Sequence, residues 1–164
     1  MKSVTVREAK LNDIQEILEI YNQGIEDRIA TLESEIKDLP YMKEWFGKHQ
    51  GRYKVLVAEN EGQVVGWASL NQYNNRKAYA GVADLSIYIS RDHRRKGIGQ
   101  QLLHTIERSA KENGFHKIIL FTFPFNLQGQ GLYQKQGYRE VGLFKNQGII
   151  DGKFIDVMAM EKLL

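Results

Sequence analysis

A chain of 164 residues and 19.0 kDa has the length of one ordinary domain, able to bury roughly 70% of its unfolded surface without covalent staples. Hydrophobic residues at 42% and charged residues at 26% argue against disorder, collagen and coiled coil, and the absence of cysteine excludes disulfide scaffolds, thiol nucleophiles and thiolate zinc sites. Twenty-three Lys and Arg against 20 Asp and Glu leave +3, an excess too small to name a partner until its position is known.

Residues 1–10 alternate polar and apolar side chains without a hydrophobic run, so no signal peptide is expected. No window approaches the ~20 apolar residues of a membrane span. A cytoplasmic protein with no membrane partner is the expectation, as one domain over residues 1–164 without repeats or linkers. In chain order, Val4–Glu8 reads as a short strand. Asn12 followed by Gln15 gives a capping box for a helix carrying Ile14, Ile17, Leu18 and Tyr21. A second helix is predicted near Pro40, with Met42, Trp45 and Phe46. Tyr53–Glu59 and Gln63–Leu70 are strands joined by the hairpin signal Asn60-Glu61-Gly62. Val82–Ile89 is the next strand, and residues 94–99 form a basic turn. The turn leads into a helix from Ile98 to Asn113, closed by Gly114. His116–Phe123 is an apolar strand, Gly129–Gln136 a short helix, and Tyr138–Phe144 and Lys153–Glu161 the last strands. This order predicts an α/β domain with a strand–helix–strand crossover at its centre.

The most informative stretch is that central one. A strand feeds, through Arg94-Arg95-Lys96-Gly97-Ile98-Gly99, directly into a helix N-terminus. Such an end presents unpaired N–H groups and partial positive charge, and its two glycines let an anion approach the backbone. The product is a cradle for pyrophosphate. Neither the P-loop nor the dinucleotide fingerprint is met, because Lys96 precedes the glycines and Leu102 stands where a third glycine would be needed. A plain basic surface turn remains an alternative. On the preceding strand, Asp84, Ser86 and Tyr88 share one face, opposite Ala83, Leu85, Ile87 and Ile89. A carboxylate on the strand entering an anion site is a candidate proton acceptor. Downstream, Asn126 follows an apolar strand and Tyr133 lies in the short helix, where it either packs or donates a proton.

These residues resemble the GCN5-related N-acetyltransferases (GNAT). Arg94-Arg-Lys-Gly-Ile-Gly99 is similar to the family's Gln/Arg-x-x-Gly-x-Gly/Ala motif, and Asn126 to Tyr138 to its Asn-x-x-small-x-x-Leu-Tyr-Glu-Lys-x-Gly-Phe segment, about 27 residues on. Ile20-Tyr-Asn…Ala30-Thr-Leu-Glu33, Arg76-Lys-Ala-Tyr79 and Asp151-Gly-Lys-Phe-Ile-Asp156 resemble the phosphinothricin acetyltransferase-like branch, and the likeness covers essentially the whole chain. Asp84 stands where that branch usually has Glu, Leu32 replaces an aromatic, and Gly129 and Gly131 stand where larger residues are common.

The resemblance implies a mostly antiparallel sheet of about seven strands and about four helices, splayed at a central parallel pair. It implies direct transfer from acetyl-CoA to the primary amine of a small acceptor, such as an amino acid or its analogue, by a homodimer without a metal. Asp84 is then the base, acting through an ordered water because its reach is short, and Tyr133 the acid toward the departing thiolate. Ser86, Ile87 and Tyr88 would hold the thioester, and Arg94, Arg95, Lys96, Gly97, Ile98 and Gly99 the pyrophosphate. Asn126 would hold the pantetheine arm, with Arg76, Tyr79 and Glu33 toward the acceptor. Trp45, Phe46 and Trp67 read as core, His93 as a turn residue, and His49, His93, His104 and His116 show no metal-ligand spacing. Two alternatives stand beside this: an acetyl-CoA-binding sensor with little catalysis, and a nucleic-acid module using residues 91–96. The second lacks any further basic stripe.

Overall fold

The computed structural model describes residues 3–164. Its described residues form a seven-stranded sheet in the order β1-β2-β3-β4-β5-β7-β6. The strands are β1 (Thr5–Glu8), β2 (Val55–Asn60), β3 (Gln63–Gln72), β4 (Val82–Ile89), β5 (Lys117–Thr122), β6 (Arg139–Ile150) and β7 (Lys153–Leu163). Helices α1 (Ile14–Asp27), α2 (Leu39–Lys48), α3 (Ile98–Glu112) and α4 (Leu127–Lys135) complete the fold. Every pairing is antiparallel except β4 with β5, which are joined by the α3 crossover. That parallel pairing covers only Val82–Lys117, Ala83–Ile118 and Asp84–Ile119. Beyond Asp84 the two strands diverge, and the expected splay opens between them.

The two sheet faces bury different stripes. Helix α3 presents Leu102, Leu103, Ile106 and Ala110 to Leu56, Ala68, Leu70 and Leu85. On the opposite face Ile14, Ile17 and Leu18 of α1 and Met42 of α2 cover Val55, Val57, Val64 and Trp67. Trp45, Phe46 and Trp67 are core, as their spacing suggested. Because side chains alternate along β4, Ala83 and Leu85 enter the α3 core while Tyr88 enters the α1/α2 core.

Several boundaries differ from expectation for local reasons. The expected Asn12 cap does not form. A 3₁₀ turn at Leu11–Asp13 precedes α1, and buried Asp13 accepts from the Lys10 N–H at 2.7 Å and from both Arg7 Nη atoms at 2.8 and 3.0 Å. A carboxylate beside a guanidinium fork outcompetes the amide next to it. Helix α2 is capped by Asp38, which accepts from Tyr41 N–H. Strand β3 runs two residues past Leu70, and β6 runs six past Phe144 across a register shift at Phe144/Gly148. There Asn146 takes a left-handed φ of 51°, and its N–H is held by Asp156 at 2.8 Å. That polar bulge hid the second half of the strand from hydrophobic patterning.

Candidate active site

Two cavities lie along the splay and share Ala30, Ile87, Tyr88, Asn126 and Tyr133. One, about 350 Å³, is walled by Asp84 and Ser86 on β4, Thr122 and Phe123 on β5, and Thr31 and Leu32 of the segment between α1 and α2. The other, about 310 Å³, runs between β4 and α4 to the start of α3. Their volumes suit small-molecule ligands, and the shared residues make one continuous cleft.

The far end of the cleft is the predicted cradle. Gly97 caps α3 with φ 82°, a left-handed conformation that a β-carbon would strain. The N–H groups of Ile98, Gly99 and Gln100, in the first turn of α3, have no intrahelical partner and border the cavity. The basic residues divide. Arg95 lines the cavity and reaches Gln128 Oε1 at 3.3 Å. Arg94 also lines it, but its guanidinium pairs with Asp27 at 2.8 Å and with the Ile89 carbonyl at 3.3 Å. Arg91 and Arg94 together hold the Asp27 carboxyl below the usual carboxylate range. Arg94 therefore anchors the turn to α1 as well as facing the cleft. Lys96 is exposed and outside the lining, and His93 belongs to a 3₁₀ turn at the cavity rim.

Along β4 the backbone alternates its hydrogen-bonding direction. Ser90 donates to Val65 of β3 at 2.8 Å, so the N–H groups of Ser86 and Tyr88 also face β3, and those of Ile87 and Ile89, past the last pairing with β5, face the splay. No β5 partner pairs with them there. Of the three strand residues predicted to hold a thioester, Ile87 is the one whose N–H opens to the cleft. The other two contribute side chains to its wall.

Asp84 lies where the parallel pairing ends. Its Oδ2 accepts from Asn71 Nδ2 at 3.1 Å. Burial pushes its carboxyl up to about 6, with the Asn71 hydrogen bond pulling the other way. Tyr133, common to both cavities, is raised by burial to about 12 and keeps its proton at neutral pH. Burial raises the Tyr88 phenol further. Asn126 caps α4: its Oδ1 accepts from Gly129 N–H at 3.0 Å and its Nδ2 contacts Thr122 Oγ1 at 3.4 Å. A helix start was expected at Gly129. It lies at Leu127 because Asn126 supplies the cap.

The predicted acceptor residues are not drawn together. Glu33 pairs with Lys37 at 2.7 Å. Arg76 is exposed, its backbone N–H bound to Asn74 Oδ1, and Tyr79 packs edge-on against Tyr73 with ring centroids 5.7 Å apart. None of the three lines the cavity that holds Asp84. Conversely, Asn71, Ser69 and His49 were missed. Continuing the Trp67, Ser69 alternation one step past Leu70 would have placed Asn71 opposite Asp84, a pairing β3 and β4 do make.

A sequence model of the Acetyltransferase (GNAT) family matches residues 13–138. The chain is 30% identical over 162 residues to the L-methionine sulfoximine/L-methionine sulfone acetyltransferase of Pseudomonas aeruginosa, covering 97% of this chain and 94% of the relative. Among solved structures, a phosphinothricin acetyltransferase from Sinorhizobium meliloti in complex with acetyl-CoA superposes with a TM-score of 0.93 and 31% identity, covering 98% of this chain and 88% of that one. A ribosomal-protein-alanine N-acetyltransferase from Brucella melitensis gives 0.94 and 32%, covering 98% and 99%.

Proposed function

Since the chain belongs to the GNAT acetyltransferases, we propose that it moves the acetyl group of acetyl-CoA directly to the primary amine of a small amino acid or amino-acid analogue, with Asp84 and Tyr133 on opposite sides of the transfer. The observation that carries this reading is the continuous cleft. A carboxyl held near neutrality and a protonated phenol line one cavity, and that cavity opens at Tyr133 into a second one ending at free helix N–H groups.

The chemistry follows from these groups. The open N–H groups at the start of α3 and the Arg95 guanidinium suit the pyrophosphate of acetyl-CoA, and Asn126 the amide-rich arm. An α-amino group with a reference pKa of ~8 arrives mostly as ammonium and must lose a proton to attack. Asp84, at about 6, is a closer match to that task than an ordinary carboxyl and is still ionised above pH 7. The N–H of Ile87 is placed to steady the carbonyl oxygen as negative charge develops. Tyr133 offers its proton to the sulfur as the C–S bond breaks. The burial that raises the phenol also raises the basicity of a thiolate expelled beside it, so the donation is not strongly uphill.

Arg76, exposed and in no ion pair among the described residues, is the proposed clamp for the acceptor carboxylate, which requires its loop to close toward the cleft mouth. A homodimer is proposed as well, from the apolar side chains that the β6–β7 hairpin leaves exposed. The acceptor test is acetyl-CoA-dependent release of thiol. Methionine sulfoximine, methionine sulfone and phosphinothricin should give the highest kcat/KM. Preference for a peptide with N-terminal alanine would transfer the assignment to protein acetylation, and no turnover with any amine would leave an acetyl-CoA-binding protein.

A further inference from the structure

The polar groups beside Asp84 do not end at the cavity wall. The Asn71 amide uses all four of its hydrogen-bonding positions. Nδ2 donates to Asp84 Oδ2 at 3.1 Å and to Ser86 Oγ at 2.9 Å. Oδ1 receives the Ser69 hydroxyl at 2.9 Å and lies 2.8 Å from His49 Nε2. His49, just past the end of α2, is fixed from behind: its Nδ1 is 2.8 Å from the Trp45 carbonyl, and its ring lies against Trp45 at a 41° tilt with centroids 4.4 Å apart. Ser69 is fully buried, so the chain of contacts crosses an otherwise apolar layer.

Counting donors gives this chain a direction. The Trp45 carbonyl only accepts, so Nδ1 must carry a hydrogen. The Asn71 oxygen can accept from His49 only when Nε2 carries one too, that is, when the ring is the doubly protonated cation; in the neutral Nδ1–H tautomer Nε2 is an acceptor. A ring with a bare Nε2 would require the amide to turn over, presenting its oxygen to Asp84. A carboxylate cannot face that oxygen without a proton between them. The amide's orientation therefore fixes whether Asp84 is offered a donor or an acceptor, and the imidazole fixes the amide.

We infer that His49 is a positioning residue for Asp84, acting through Asn71: in its cationic form its Nε2–H holds the amide with the N–H toward the carboxylate and so keeps Asp84 ionised and ready to accept a proton. The role in catalysis rests on the proposed reading of Asp84 as the base. Other ionisable groups around Asp84 are Tyr88 on its own strand, Tyr133 across the cavity, and Glu33 and Tyr21 beyond Tyr88. Glu33 is paired to Lys37. Around His49 they are Glu8 and Lys54, which pair with each other at 3.0 Å.

The test reads Asp84 itself. Protein labelled with ¹³C at aspartate carboxyls is titrated by NMR, Asp84 being assigned by the resonance lost in Asp84→Asn. His49→Phe keeps a ring against Trp45 but removes both nitrogens, and should raise the Asp84 midpoint by about one pH unit, a tenfold change. The acidic limb of kcat should move with it while KM for acetyl-CoA stays put. His49→Gln, which can still send one N–H to Asn71 Oδ1, should restore most of the wild-type midpoint. An unmoved Asp84 midpoint in folded His49→Phe overturns the inference. A midpoint that moves while the kcat limb does not upholds the connection from His49 and removes Asp84 as the base.

Discussion

Asp84 carries two opposed demands, and both are visible in its surroundings. As a buried carboxyl it is costly to ionise, and its pKa is raised from 3.8 to about 6 chiefly by desolvation. A group whose folded-state pKa exceeds its unfolded value binds protons more tightly when folded. Its destabilising effect is therefore absent below about pH 4, grows between about 4 and 6, and is complete above. The full effect is on the order of 3 kcal/mol at most, from a shift of about two units. Asp84→Asn should thus raise Tm above pH 7 relative to wild type and leave it unchanged below pH 4. The same substitution should lower kcat by about 10²–10⁴-fold, with the larger loss at lower pH where less free amine is present. Thermal unfolding and rate profiles over pH 4–9 check both signs. A variant that loses activity without gaining stability would mean that burial does not strain this carboxylate.

At the scale of elements, the site depends on how strands and caps end. Helix α4 starts where Asn126 folds back over Gly129, and a β-carbon at Gly129 would come within 2.6 Å of Asn126 Nδ2. Gly129→Ala adds helix propensity but dislodges the cap, two effects of about 1 kcal/mol and opposite sign. Tm should hardly change, while KM for acetyl-CoA rises about fivefold as Asn126 leaves the cleft wall. An unaltered KM would mean that Asn126 serves the helix alone. The crossover, the cradle turn and the Asp84 face were legible because strand alternation and helix-start chemistry are local. Asn71 and His49 were not. Their meaning lies in a register between β3 and β4 and in the packing of α2 across Trp67, neither of which leaves a mark in local pattern. Arg94 belongs to the basic turn that the local sequence marks, but its pairing with Asp27 links positions 67 apart in sequence and cancels charge that composition counts as free.

For the molecule as a whole, the sheet order leaves β6 on an edge, and it is the longest strand, with 12 residues. Long apolar edges ordinarily recruit another chain unless blunted by charge, proline or a bulge. Here the bulge at Asn146 interrupts the edge, yet the hairpin still exposes Ile149 at 64% and Phe154 at 65%, with Leu143 on the same face of the sheet. Phe121 on β5 and Phe144, with centroids 6.4 Å apart, are exposed on the other face of the sheet, beside the cleft. Such a surface costs solubility if left bare, and a second copy of the same patch is its simplest self-complementary cover. Sedimentation should therefore give twice the 19.0 kDa chain mass. Ile149→Lys with Phe154→Lys should give a monomer, because each added charge would have to be desolvated at the contact. The two changes lie beyond the walls of both cavities, so the lone chain keeps its fold and its acetyl-CoA cleft. A dimer that survives both lysines would place the contact elsewhere on the sheet, and a wild-type chain sedimenting at the single mass would remove the dimer altogether.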